Sequence, residues 1–266
     1  MSLLDSRNNT GRCVPKFAWP LLAVLVLLAG CGRTLDLDSA RVFQDAEKTF
    51  AQAKSPEDFL KAAAMYQEIL DRGHMSGAAL YNQGNAFMQA GQRGRAIAAY
   101  RQARRYLGPD PYLEANLTYA LGNPSAARRR SLVEHLLFWQ DWISYPAKYS
   151  LAAFAVAIAL VLAVVVLFVR RRWLDRLTLA AAAVSLLLIF SAAYDWYRYG
   201  YQIHGVIVQK QTIARKGNAE SYEPALTAAL AEGTEFDLVD RRGDWLFVRL
   251  SGDQEGWIPD SAAVAF

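Results

Sequence analysis

Few residues in this chain of 266 are equipped for chemistry. Its two cysteines, Cys13 and Cys31, and its three histidines, His74, His135 and His204, lie far apart in sequence. None has a partner at metal-ligand spacing, so zinc sites and disulfide frameworks are not expected. There is no nucleophile elbow and no phosphate-binding glycine loop. The reading is of a protein that is not an enzyme, with no cofactor and no metal. One cysteine differs from the rest. Cys31 directly follows Leu28-Ala29-Gly30, a branched residue and two small ones. Small residues leave an extended backbone open to a peptidase, and the thiol exposed by the cut can be acylated. The chemistry implied at Cys31 is lipid attachment.

The preceding residues suit that reading. Arg7, Arg12 and Lys16 stand against a single acid, Asp5, and an apolar run follows from Phe17 to Ala29. A helix of that length reaches only about 20 Å, short of the ~30 Å hydrocarbon core of a bilayer, and Pro20 weakens it further. Residues 1–30 therefore read as a lipoprotein-type signal peptide, and the quartet ending at Cys31 resembles a bacterial lipobox. The alternative is an apolar helix with a chance cysteine. Overall, 53% of residues are hydrophobic and 20% charged, with a mild formal charge of +4. Membrane spans beside soluble parts fit this composition. The arginines cluster as membrane flanks, so no nucleic-acid partner is expected.

Residues 36–126 read as helical repeats. Ala62, Tyr66 and Ile69 in "AAAMYQEIL" recur 34 residues later as Ala96, Tyr100 and Ala103 in "AIAAYRQAR". That period and spacing mark the second helix of a tetratricopeptide repeat. The first helix, "ALYNQGNAFMQAG", places Leu80, Gly84, Phe87 and Gly91 where such a repeat needs a large residue, a small crossing residue, an aromatic and a turn glycine. Two repeats and a terminal helix, "YLEANLTYAL", are expected. Tyr81, Asn85, Met88 and Tyr119 are the candidates to face a partner-binding groove. Tyr81 and Asn85 would otherwise pack within the helix pair. Asn116-Leu117-Thr118 matches a glycosylation triplet but falls within a helix, and is read as chance.

Two uncharged runs follow, 149–169 and 177–194, each long enough to span. Between them the segment 170–176 holds Arg170, Arg171, Arg172 and Arg176, which the positive-inside rule assigns to the cytoplasm. Aromatics flank the other ends: Trp139, Trp142, Tyr145 and Tyr149 before the first run, and Tyr194, Trp196, Tyr197, Tyr199 and Tyr201 after the second. The apolar residues Leu132, Leu136, Trp139 and Ile143 suggest an interfacial amphipathic helix over 131–147.

Residues 203–266 alternate short β segments with turns. In "WLFVRL", Trp245, Phe247 and Arg249 share one face, and Leu246, Val248 and Leu250 the other. The residues Gly233-Thr234, Gly243-Asp244-Trp245, Val248-Arg249 and Gly256-Trp257-Ile258-Pro259 resemble bacterial SH3-like domains. Trp245 and Trp257 are candidates for a binding surface or for the barrel core. The expected fold is thus a multidomain membrane protein: an all-α tetratricopeptide-repeat domain, a two-helix transmembrane hairpin and a small all-β SH3-like barrel.

This order of modules resembles the BatE family of the Bacteroides aerotolerance operon. The resemblance is carried by "LYNQGNAF", "AIAAYRQA", the hairpin and "GDWLFVRL…GWIP". It implies a scaffold or accessory protein of the bacterial inner membrane, with its repeats and SH3-like domain in the periplasm. The partners it implies are von Willebrand A-domain membrane proteins and a MoxR-type ATPase system, linked to aerotolerance or envelope stress. The lipobox departs from the family pattern, where an ordinary cleavage site is expected. The alternative function is an envelope lipoprotein that binds peptidoglycan.

Overall fold

The computed structural model describes residues 37–122 and 138–266. The signal peptide at 1–30, the lipid site Cys31 and the first part of the interfacial helix, 131–137, lie outside the described residues. What is described is mostly helical, with two long apolar helices and a small antiparallel sheet.

Five helices open the fold: α1 (Leu37–Gln52), α2 (Pro56–Asp71), α3 (Gly77–Gln89), α4 (Arg93–Leu107) and α5 (Pro111–Leu121). Their starts are written locally. Ser55 and Asp58 form a reciprocal capping box ahead of Pro56. Ser76 accepts from the Ala79 amide at 3.3 Å, and Asp110 from the Leu113 amide at 2.9 Å. Gly91 ends α3 with φ 73°, a conformation that side chains with a Cβ rarely adopt. Apolar faces of successive helices then share one core around Ala46, Tyr66, Ile69, Leu80, Ile97, Tyr100, Leu113 and Leu117.

Burial pushes the Tyr66 phenol up to about 12 and raises Tyr100 as well, where Tyr81 nearby adds to the effect. Both groups fold in their protonated form. Their contribution to stability is complete below the unfolded value near 10 and is lost as pH rises through the folded values. Far-ultraviolet circular dichroism is therefore expected to show helix loss starting above pH 10. Replacing both tyrosines with phenylalanine should move that onset upward.

A 3-10 turn, Phe138–Trp142, leads into α6 (Tyr145–Phe168), and Val169–Arg171 joins it to α7 (Arg172–Tyr201). Both helices are long and apolar enough to cross a membrane. Three boundaries differ from the sequence reading. Over 138–147 the chain makes a short 3-10 turn and then starts α6, instead of continuing one amphipathic helix; Pro146 favours a new helix start there. The arginine-rich loop is shorter than 170–176, because α7 already begins at Arg172, with Asp175 in its first turn. Finally, α7 runs past Tyr194 to Tyr201, so its aromatic cluster is helical.

The C-terminal part holds a five-stranded antiparallel sheet in the order β6-β5-β4-β1-β7 and a two-stranded sheet β2-β3. The strands are β1 (His204–Ile207), β2 (Gln211–Thr212), β3 (Leu230–Ala231), β4 (Glu235–Arg242), β5 (Trp245–Arg249), β6 (Glu255–Pro259) and β7 (Ala263–Ala265). Gly243, with φ 55°, opens the two-residue turn between β4 and β5. Leu246, Val248 and Ile258 point inward with Ile207, Phe236 and Leu250.

By chain contacts, Ala153–Ser185 belongs to one compact unit. The described residues before Ala153, together with Leu186–Phe266, belong to a second. The five helices and the sheet therefore form one body. Strand β1 shows why. Val206 and Ile207 are both fully buried, yet successive side chains on a strand point to opposite faces. Val206 joins the helical core, with Val264 and Phe266 packed against it, while Ile207 joins the β core.

Candidate partner-binding surface

The groove candidates lie on α3 and α5. The Asn85 side-chain oxygen accepts from Tyr100 Oη at 2.8 Å and from Asn116 Nδ2 at 3.0 Å. Asn116 Nδ2 also donates to Tyr81 Oη at 2.9 Å. Tyr81, Asn85, Tyr100 and Asn116 thus form one polar network across α3, α4 and α5. Both Tyr81 and Asn85 are half-buried and hydrogen-bonded within the fold, which matches the internal-packing alternative. Met88 is half-buried against the helical core. Tyr119 differs: it is 80% exposed, and with Glu114, Ala115, Thr118 and Gly122 it lines a shallow depression on α5. Tyr112, one face-repeat earlier, is 76% exposed. Asn116, read from sequence as part of a chance triplet, is the member that ties Tyr81 to Asn85.

On the β part, pairing places Arg242, Trp245 and Pro259 in one row and Asp240, Phe247 and Trp257 in the next. This face is opposite the Leu246–Val248–Ile258 core. Phe247 and Trp257 lie 5.1 Å apart, and the Arg242 guanidinium stands 5.3 Å over the Trp257 ring. Trp257 is only 9% exposed but sits outside the β core, covered by these neighbours. Trp245 is half-buried. Trp245 and Trp257 therefore belong to a packed aromatic face.

Helix α4 joins the two parts. Gln92 makes no capping hydrogen bond at its N-terminus. Glu232, just after β3, supplies the cap instead: its Oε1 accepts from the Gly94 amide at 2.8 Å. A Cβ at Gly94 would collide with the main chain of Ile207 and Val208, so only glycine allows β1 this close. Two turns further on, Arg101 grips Glu235 with Nε and Nη2 at 2.6 and 2.9 Å. Arg93 turns the other way and donates to the Ala120 and Leu121 carbonyls at the end of α5. Glu232→Ala should cost about 1 kcal/mol, the usual value of a lost cap. Thermal unfolding should show this, and Glu232→Gln, which keeps an acceptor, should recover most of it.

The starts of α6 and the end of α7 meet at a buried charged cluster. Lys148 Nζ donates to Asp195 Oδ2 at 2.5 Å and to Gln140 Oε1 at 2.6 Å; Ser191 Oγ donates to the same Gln140 oxygen at 2.8 Å. Lys148 and Asp195 are 2% and 3% exposed. The sequence reading overlooked this pair, although a signal was present. Lys148 and Asp195 each lie one residue outside an uncharged run, with opposite signs, at ends expected to share one membrane face.

Among the described residues no group of three or more His, Cys, Asp or Glu converges on a metal-sized site. His204 Nδ1 lies 2.6 Å from Asp237, its pairing partner across β1 and β4. No protein-family model, curated protein or solved structure matches this chain.

Proposed function

We propose that this chain is a non-enzymatic scaffold anchored in the bacterial inner membrane by α6 and α7, with its helical and β parts in the periplasm. The helix pairs are read as tetratricopeptide repeats and the β part as an SH3-like barrel. Their role is to gather protein partners in a Bat-type aerotolerance or envelope-stress complex. The observation that carries this reading is the shared core at Val206 and Val264. It makes the helices and the sheet a single presenting body, attached to two apolar helices by Tyr145 and Tyr201. The four arginines of 170–176 favour the cytoplasm for the connecting turn. The expected partners are von Willebrand A-domain membrane proteins and a MoxR-type ATPase system. Affinity purification after gentle solubilisation of native membranes should recover such partners; a pure, partnerless monomer would count decisively against the scaffold.

The aromatic face of Trp245, Phe247 and Trp257 beside Arg242 favours a second reading, peptidoglycan binding. Retention of the full chain on purified sacculi, lost on Trp245→Ala, is its test. The full chain is needed because β1 and β7 complete their burial against the helices.

A further inference from the structure

The two ends of the apolar helix pair treat charge in opposite ways. At one end, Lys148 and Asp195 are buried and hold each other. At the other end, Val169–Arg171 joins α6 to α7, and Arg170, Arg171, Arg172 and Arg176 lie in or beside this turn. All four are exposed. Among the described residues, none of their guanidinium groups takes part in an ion pair, a hydrogen bond or a ring contact, not even with Asp175 in the same segment. Four arginines against one acid give the segment 170–176 a formal charge of +3, while the whole chain carries +4. Positive charge is thus concentrated at this turn, and no described residue neutralises it.

The neighbouring side chains identify the surroundings. Leu167 and Phe168 are each 75% exposed and Trp173 is 63% exposed, so apolar surface continues up to the arginines. Arg170 directly follows the first uncharged run, and Arg176 directly precedes the second. Arg172, the first residue of α7, lies five residues before Leu177. That is about 8 Å along the helix. The headgroup layer on each side of the hydrocarbon core is roughly 5–7 Å thick. If α6 and α7 span a bilayer, the turn occupies that layer, where long arginine stems hold their charged heads and an exposed tryptophan is a usual anchor. The turn is too short to carry the arginines beyond it. A soluble acidic protein would have to enter the headgroups to meet them, whereas lipid phosphates already surround them. A zwitterionic lipid offsets its phosphate with an ammonium of its own. An anionic lipid does not, and its phosphate suits the planar guanidinium fork.

We propose that the turn between α6 and α7 binds anionic phospholipids in preference to zwitterionic ones, through Arg170, Arg171, Arg172 and Arg176. This rests on the reading of α6 and α7 as membrane spans. The test uses the full chain in dodecyl maltoside, titrated with dioleoylphosphatidylglycerol or with dioleoylphosphatidylcholine, which has the same chains and no net charge. Native mass spectrometry reads occupancy. Each basic residue near an anionic surface contributes on the order of a fivefold preference, so the wild type should bind phosphatidylglycerol at least about tenfold more tightly. In Arg170→Gln/Arg171→Gln/Arg172→Gln/Arg176→Gln the difference should fall to about twofold or less. Equal binding of the two lipids by the wild type overturns the proposal, and so does an undiminished preference in the variant. Displacement of phosphatidylglycerol by equimolar hexaglutamate overturns it too, since the turn would then serve an acidic protein. Displacement by equimolar inorganic phosphate does the same in favour of a soluble anion. Should the fourfold variant fail to fold, Arg170→Gln/Arg171→Gln, which changes only the turn ahead of α7, should lose about fivefold or more of the preference; an unchanged preference there overturns the proposal. Extraction of the protein from native membranes by an alkaline carbonate wash would instead refute the membrane spans.

Discussion

Lys148→Ala is expected to destabilise the protein by about 3–5 kcal/mol, the cost of removing one member of a buried ion pair. The Asp195 carboxylate is 3% exposed and holds Lys148 at 2.5 Å. Without the ammonium, a buried charge loses its nearest compensation, and Gln140 loses the donor to its oxygen. The unfolding midpoint in detergent, followed by tryptophan fluorescence, should fall accordingly. Asp195→Ala should be comparably harmful. The double variant Lys148→Met/Asp195→Leu is the informative control. Replacing a whole buried pair with apolar groups is often neutral or even stabilising, by about 1–4 kcal/mol. It should therefore recover most of the loss. A double variant as unstable as Lys148→Ala would show that the cluster acts through its specific shape, joining the 3-10 turn, α6 and α7, and not through charge compensation.

The second large effect is expected at Gly84. A Cβ there would lie 2.5 and 2.6 Å from Cε1 and Cδ1 of Tyr100. Real Cβ atoms do not come so close, and Tyr100 has little freedom to yield. It is 1% exposed, and its hydroxyl donates to Asn85. Gly84→Ala should therefore separate α3 from α4 and cost about 1–3 kcal/mol by overpacking, with Gly84→Val worse. Tyr100→Leu alone should also destabilise, by leaving a cavity. Combined with Gly84→Ala, the smaller side chain removes the clash, so the double variant should be more stable than the two single costs predict. Thermal unfolding of all four proteins measures that coupling; strict additivity would mean that Gly84 and Tyr100 do not limit the helix approach.

These sites differ in how visible they are in the sequence. Gly84 and Tyr100 are legible because they belong to a pattern of 34 residues with a small residue opposite an aromatic. The structure starts helices at Ser55, Ser76 and Asp110 through caps between residues three apart, a local event that the repeat pattern does not itself mark. The alternation in "WLFVRL" correctly separates Leu246 and Val248 from Trp245 and Phe247, because strand geometry repeats every two residues. It does not show that Trp257 is covered by Phe247 and Arg242, since that depends on which strands become neighbours. The groove candidates fail to separate for a similar reason. Tyr81 and Tyr119 look alike as positions on a helix face, yet Asn116 reaches back to Tyr81, while no later helix among the described residues covers Tyr119.

By itself, the sequence determined the helical segments, the two apolar helices and the alternating strands, because each follows from regular spacing along the chain. The tertiary structure alone decided that the helices and the sheet share a core. Arg101 meets Glu235 and Gly94 meets Glu232 across more than 130 residues of chain. Contacts at that separation leave no periodic trace, and each side chain has many equivalent partners until the backbone is folded. The same holds for Lys148 and Asp195. Their charges are visible on either side of the spans, but only the packing of the turn, α6 and α7 removes both from water.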